Sequence, residues 1–211
     1  VKVIHDWRWS LRLIGDALEE LRIRPVGVIH IGAHLGQEVP LYLGCGLERI
    51  TLVEPDPEAC AVMAGQPWID NPGIGIVNKA CGARGRTVFH RMAEGAFSGL
   101  RPNMAQIETA SFPVEVVPIA DVQVEHRGNV LVVDTQGTEL EALRTADMST
   151  IDLVIVETQS ERRGAPGAYW PDLVSWCVEA GWMPRIKWKR DERWSDMLLT
   201  PRRLTEPEPR P

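Results

Sequence analysis

The chain has 211 residues, enough for one sizeable core and awkward for two. Hydrophobic residues make up 44% and charged residues 25%, which is the balance of a folded domain and excludes global disorder. The formal charge of −6 argues against nucleic acid as the main partner, because phosphate binding needs uncompensated Lys and Arg.

The first element is an amphipathic helix over Trp9–Leu21, with Leu11, Ile14, Leu18 and Leu21 along one face and Pro25 as its stop. Val26–Ile31 reads VGVIHI, a buried strand that ends at Gly32. Gly36–Leu43 has helical character, with Pro40 tolerable only in the first turn. Ile50–Val53 is a second apolar strand, and Asp56 caps a helix over Pro57–Met63. Ile74–Val77, Thr87–Arg91, Val114–Ile119, Val130–Val133 and Asp152–Val156 read as further strands. Thr138–Leu143 is helical with Thr138 as its cap, and Leu173–Ala180 is helical up to Gly181. Trp182–Trp188 and Met197–Leu199 are too close for an intervening helix, so they pair antiparallel.

This alternation predicts an α/β fold: a mostly parallel seven-stranded sheet with an antiparallel C-terminal strand and helices on both faces. The expected organisation is a helical segment over 1–25, a catalytic domain over 26–200 and a flexible tail over 201–211. Cys45, Cys60, Cys81 and Cys177 form no CxxC pair, so neither a zinc site nor a redox motif is expected. Charges interrupt the N-terminal apolar stretch and no run is long enough to span a bilayer, so a cytoplasmic location is expected. The basic run Arg185–Arg193 is broken by two acids and reads as a solvated strand edge. Trp170, Trp176, Trp182, Trp188 and Trp194 cross different elements and read as core, with Trp170 the one to watch for acceptor contact.

Ligands of open α/β sheets bind beyond the carboxyl ends of the strands. Small or polar residues stand at each of those ends here: Gly32-Ala33-His34-Leu35-Gly36-Gln37, Glu54-Pro55-Asp56, Asn78-Lys79-Ala80-Cys81, Asp134-Thr135-Gln136-Gly137 and Glu157-Thr158-Gln159. The glycine loop is G-x-x-x-G and lacks the middle glycine that a pyrophosphate requires. It suits a nucleoside cofactor without phosphate, such as S-adenosylmethionine. Glu54, at the end of the second strand, is placed to accept both ribose hydroxyls.

The segments VIHIGAHLGQE, ITLVEPDPE, NKACGARG, FSGL, LVVDTQGTELEAL and DLVIVETQ together resemble the FkbM family of O-methyltransferases, over about Val28 to Leu199. The resemblance implies a class I methyltransferase fold, S-adenosyl-L-methionine as donor and a hydroxyl acceptor, often on a sugar or other small natural product. It implies a donor loop of Gly32, Ala33, His34, Gly36 and Gln37, a ribose ligand in Glu54 beside Pro55 and Asp56, an adenine edge at Asn78, Ala80 and Cys81, and Ser98 near the pocket. It also matches Asp134 and Glu139 to a central acidic segment, and puts His30 where relatives carry an acid.

Methyl transfer to a hydroxyl benefits from a base. Asp134 is the first candidate, either as base or as partner of the donor's ammonium group, and Glu157 and Glu139 are the other catalytic-site carboxylates. No metal is expected, because the spacing of these acids is not diagnostic. The competing readings are an NAD-dependent oxidoreductase, which shares the strand–loop–helix–acid pattern, and a nucleoside-binding module without turnover. Acceptor identity and oligomeric state are not legible.

Overall fold

The computed structural model describes residues 7–103, 105–159, 168–189 and 194–204. Helix α1 (Trp7–Glu20) leads into β1 (Val28–Ile31), α2 (Val39–Gly44), β2 (Ile50–Val53), α3 (Pro57–Ala64) and β3 (Ile74–Val77). Next come β4 (Ala80–Cys81), β5 (Gly85–Met92), β6 (Glu108–Val117) and α4 (Ile119–Glu125). The chain continues through β7 (Val130–Val133), α5 (Glu139–Leu143), β8 (Leu153–Gln159), α6 (Trp170–Ala180), β9 (Trp182–Lys189) and β10 (Trp194–Pro201).

Seven strands form the main sheet in the order β3–β2–β1–β7–β8–β10–β9. The first five run parallel, β10 runs antiparallel to β8, and β9 pairs antiparallel with β10. Strands β1, β2 and β7 are buried at every residue, as parallel strands covered on both faces must be. On one face Ile14 and Leu18 of α1, Val39 and Tyr42 of α2 and Met63 of α3 pack against Leu52, Val132 and Ile155. On the other, Ile119 and Val122 of α4, Leu143 of α5 and Leu173, Trp176 and Cys177 of α6 pack against Ile31, Leu131, Val133 and Val156. Each such apolar side chain contributes about 1.5–3 kcal/mol by leaving water. The side chains of Leu11, Trp188 and Trp194 lie outside the described ones.

Local signals act as expected in several places. Pro40 falls in the first turn of α2. The Asp56 side chain accepts the Glu58 N–H at 2.8 Å and caps α3. Gly181 ends α6 at φ 74°, a left-handed conformation.

Four features differ from expectation. The strand expected over Val114–Ile119 starts earlier and ends at Val117; Pro118 breaks it and Ile119 opens α4, whose short amphipathic run was missed. Strands β4, β6 and β5 form a separate three-stranded sheet, in that order, around Ala80, Phe89, Val114 and Val116. Pro113 is tolerated within β6 because β4 pairs only with Val116 and Val117, leaving no ladder at Pro113 on the side away from β5. Thr138 precedes α5 but makes no side-chain cap; its hydroxyl donates to Thr135 Oγ1 at 3.0 Å. The expected tail begins too early, since Pro201 pairs with Trp182 in the sheet and Arg202–Leu204 forms a helical turn. Residues 205–211, and the part of the basic run at 190–193, lie outside the described residues. Among the described residues no helix is long and apolar enough to cross a membrane.

Candidate active site

The strand order reverses between β1 and β7, and a crevice at such a switch point is where open α/β sheets bind ligands. A cavity of about 390 Å³ opens there, lined by residues from the carboxyl ends of β1, β2 and β7 and from the smaller sheet. Gly32 is the pivot. Its φ is 81°, and a Cβ at this position would lie 1.8 Å from the Asp134 carbonyl oxygen. Only glycine lets the first loop pass the end of β7 so closely.

Glu54 follows β2 and is 5% exposed. Its Oε2 accepts the His34 N–H and its Oε1 accepts the Asp56 N–H, both at 2.9 Å. A carboxylate oxygen can accept two hydrogen bonds, so this fixed group retains capacity for a pair of ribose hydroxyls. Burial pushes its pKa up to about 7, against the pull of the two N–H groups. His34 sits at φ 47°, and burial lowers its pKa although Asp56 and Asp134 lie near, so the imidazole is neutral at physiological pH.

Asp56 both caps α3 and grips Arg91 of β5. Arg91 Nε and Nη2 donate to its two oxygens at 2.7 and 2.6 Å, and Nη1 reaches Glu58 at 2.6 Å. Burial alone would raise the Asp56 pKa; the guanidinium and the Glu58 N–H outweigh it and hold the carboxyl below its usual value. The smaller sheet is thereby tied to the Glu54 side of the cavity. Phe89 and Met92 of the same strand complete that wall, and Ser98 Oγ accepts the Met92 N–H at 2.9 Å.

Among the expected donor-site residues, Gly32, His34, Gln37, Glu54, Pro55, Asp56, Ala80, Cys81, Ser98 and Asp134 line the cavity. The Cys81 thiol is buried and its pKa is pushed up to about 12, so it serves as an apolar wall. Ala33 and Gly36 stand behind the surface: Ala33 is in the core, and Gly36 lies against the Trp68 ring. Asn78 is not at the lining. Its amide donates to the carbonyls of Glu54 and Pro55 at 2.9 and 3.1 Å, so it shapes the loop that carries Glu54. His30 lines the floor, and its Nδ1 lies 3.0 Å from the buried Tyr42 hydroxyl.

The acidic end is built differently from expectation. Gln136 Nε2 donates to Asp134 Oδ1 at 2.5 Å and to Glu157 Oε2 at 2.8 Å. Glu157 is buried behind this amide and does not line the cavity. Glu139, placed among the catalytic carboxylates, is completely buried and holds the backbone together instead. Its Oε1 accepts Gly137 N–H at 2.8 Å and Thr135 N–H at 3.1 Å, and its Oε2 accepts Ala168 N–H at 2.8 Å. Burial is the largest influence on its pKa and raises it. Oxygens of Asp134, Glu139 and Glu157 lie within 4.8 Å of one another, the one such cluster among the described residues. Protein N–H groups donate to all three.

Arg91 and Gln136 were missed as site residues. Gln136 lies inside the DTQG segment and was legible there as a polar residue after a strand. Arg91 carried no local signal, because its role depends on how the second sheet folds over the first.

The fold and this cavity are those of a class I, S-adenosylmethionine-dependent methyltransferase. A family model described as Methyltransferase FkbM domain matches residues 30–181, and the chain belongs to that family. This match sets aside the NAD-dependent reading. No curated protein sequence matches the chain. The fold is similar to that of the ribosomal protein L11 methylase of Lactobacillus delbrueckii subsp. bulgaricus, at 11% identity and a TM-score of 0.55, over 91% of this chain and 77% of that one. It is also similar to the methyltransferase domain of bacterial CtHen1-C, at 12% identity and a TM-score of 0.51, over 91% and 96%. A candidate tRNA methyltransferase of Streptococcus pneumoniae, solved with S-adenosyl-L-methionine, is similar at 9% identity and a TM-score of 0.52, over 94% and 73%. The cofactor is S-adenosylmethionine, and the pinned Glu54 carboxylate, with acceptor capacity left over, fits the hydroxyls of its nucleoside end.

Proposed function

We propose that the chain methylates a hydroxyl oxygen on a small polyhydroxylated acceptor, such as a sugar or glycan residue. When bound, S-adenosylmethionine supplies a sulfonium methyl group: a carbon–oxygen bond forms, the carbon–sulfur bond breaks with its electron pair left on sulfur, and the hydroxyl proton departs. Asp134 receives that proton, and the cavity walls hold the acceptor oxygen in line.

The observation that carries this reading is the division of the carboxyl edge between two carboxylates. Glu54 follows β2 and Asp134 follows β7, with β1 between them, and both line one cavity. Glu54 is pinned by backbone N–H groups for the nucleoside; Asp134, tied to Glu157 through Gln136, serves the acceptor. The net charge of −6 favours an uncharged acceptor over a polyphosphate one.

The test is a product screen with S-adenosylmethionine over free sugars, glycans, small polyols, RNA and a protein mixture, read by the mass gain of one methyl group. Methylation of a hydroxylated small molecule is expected, lost in Asp134→Asn while S-adenosylhomocysteine still binds. Methylation of RNA or protein alone would overturn the acceptor class. Binding without product from any acceptor would favour a module without turnover.

A further inference from the structure

We propose that Gln136 is a positioning residue for methyl transfer, a neutral clasp that holds Asp134 and Glu157 in one fixed arrangement on the acceptor side of the cavity. The inference rests on the hydroxyl-acceptor reading above for its catalytic consequence, and on geometry alone for the clasp.

Two carboxylates that approach one another repel unless something donates to both. Gln136 Nε2 does so, at 2.5 Å from Asp134 and 2.8 Å from Glu157. The orientation of the amide follows from chemistry: its oxygen in that place would face two carboxylate oxygens with no proton between them. A primary amide has two N–H groups on one nitrogen and adds no charge, so it joins the two acids without neutralising either.

The backbone is built to hold this side chain. Gln136 has φ 52°, a left-handed conformation uncommon for a residue with a Cβ. Strain of this kind persists only where the surroundings over-determine it. Here Glu139 fastens the turn on both sides of Gln136, through Thr135 N–H at 3.1 Å and Gly137 N–H at 2.8 Å. Gly99, from the segment between β5 and β6, lies on the same turn; a Cβ there would stand 3.2 Å from the Thr135 and Gln136 carbonyl oxygens. Glu139 also binds Ala168 N–H, so the clasp is fastened to the segment that leads into α6. The chain holds a strained residue from two sides in order to aim one amide at two acids.

Two variants test this. Gln136→Met keeps the length of the side chain and removes the donor; Gln136→Glu keeps the shape and adds a third carboxylate. The expected result is S-adenosylhomocysteine affinity unchanged in Gln136→Met, with kcat on the acceptor from the product screen lower by roughly a hundredfold, the scale of a misplacement near 1 Å. Gln136→Glu should lose at least as much. A second readout needs no acceptor. In the wild type, the side-chain amide of Gln136, assigned by its loss in Gln136→Met, should give two proton signals protected from solvent exchange, one of which loses protection in Asp134→Ala. Freely exchanging signals, full turnover by Gln136→Met, or loss of S-adenosylhomocysteine binding in that variant would each overturn the clasp. Failure of the wild type to methylate any hydroxylated acceptor would instead overturn the acceptor reading, and the amide signals would still judge the clasp.

Discussion

Arg91 and Asp56 face one another across the junction of the two sheets, joined by two parallel hydrogen bonds of 2.6 and 2.7 Å. Arg91 belongs to β5 of the smaller sheet, and Asp56 caps α3 beside Glu54. This fork-to-fork pair closes the cavity on the Glu54 side.

Replacing Arg91 with Met leaves the buried Asp56 without its guanidinium. Hydrogen bonds to charged groups contribute about 1.5–3 kcal/mol, so a loss of about 2 kcal/mol of stability is expected in urea denaturation. S-adenosylhomocysteine affinity should fall as well, since the Asp56 N–H that orients Glu54 is no longer held. Arg91→Lys should recover only part of both, because an ammonium cannot make the bidentate contact. Unchanged affinity in Arg91→Met would mean that the two sheets do not need this tie.

The raised pKa of Glu54 gives a pH dependence whose sign can be worked out. Its value is about 7 in the fold and 4.5 for an ordinary glutamate. Its contribution to stability is therefore fully present below about pH 4.5 and is lost as pH rises through about 7, a change of roughly 3 kcal/mol. Ribose hydroxyls donate to the ionised form, so S-adenosylhomocysteine affinity should rise with pH up to about 7 and then level. Binding at pH 6 should release a proton, seen by calorimetry in buffers of different ionisation enthalpy. Proton uptake, or a flat profile, would contradict the assignment.

Gly32→Ala puts a methyl group 1.8 Å from the Asp134 carbonyl oxygen and also strains a left-handed backbone. The end of β1 or of β7 must shift. A loss of about 3–5 kcal/mol is expected in denaturant titration, together with loss of S-adenosylhomocysteine binding. Retention of binding would show that the loop has more room than the structure gives it.

Asn129 provides a test of the fold away from the site. Its Oδ1 accepts the Val26 N–H at 2.8 Å, and its Nδ2 donates to the Arg24 carbonyl at 2.9 Å and to Asp152 at 3.0 Å. It joins the approach to β1 to the starts of β7 and β8. Asn129→Ala strands these groups and should cost about 2–4 kcal/mol in thermal or urea unfolding, with donor affinity in the surviving folded protein unchanged.

The contrast between Glu54 and Arg91 shows how far the sequence could be read. The main sheet was legible because each parallel strand is a short apolar run closed by a polar or glycine residue, and that punctuation also marks Glu54 and Asp134. The smaller sheet was not, since β6 begins with the polar run Glu108-Thr109-Ala110-Ser111 and carries Pro113 within it. Its stability comes from pairing with β5, a long-range contact with no local signature. The surroundings of Glu139 were hidden for a related reason. The family resemblance places it in a central acidic segment, but its partners include Ala168, which lies on a different segment.

In the proposed reading Glu54 and the glycine loop after β1 grip the nucleoside end of S-adenosylmethionine. Calorimetric titration of S-adenosylhomocysteine and of NAD into the wild type and into Glu54→Gln tests it most directly. The expected result is one S-adenosylhomocysteine site in the wild type, weakened roughly tenfold or more in Glu54→Gln, as the loss of a charged acceptor implies, with no binding of NAD. Equal affinity in the two proteins, or tight binding of NAD, would contradict it.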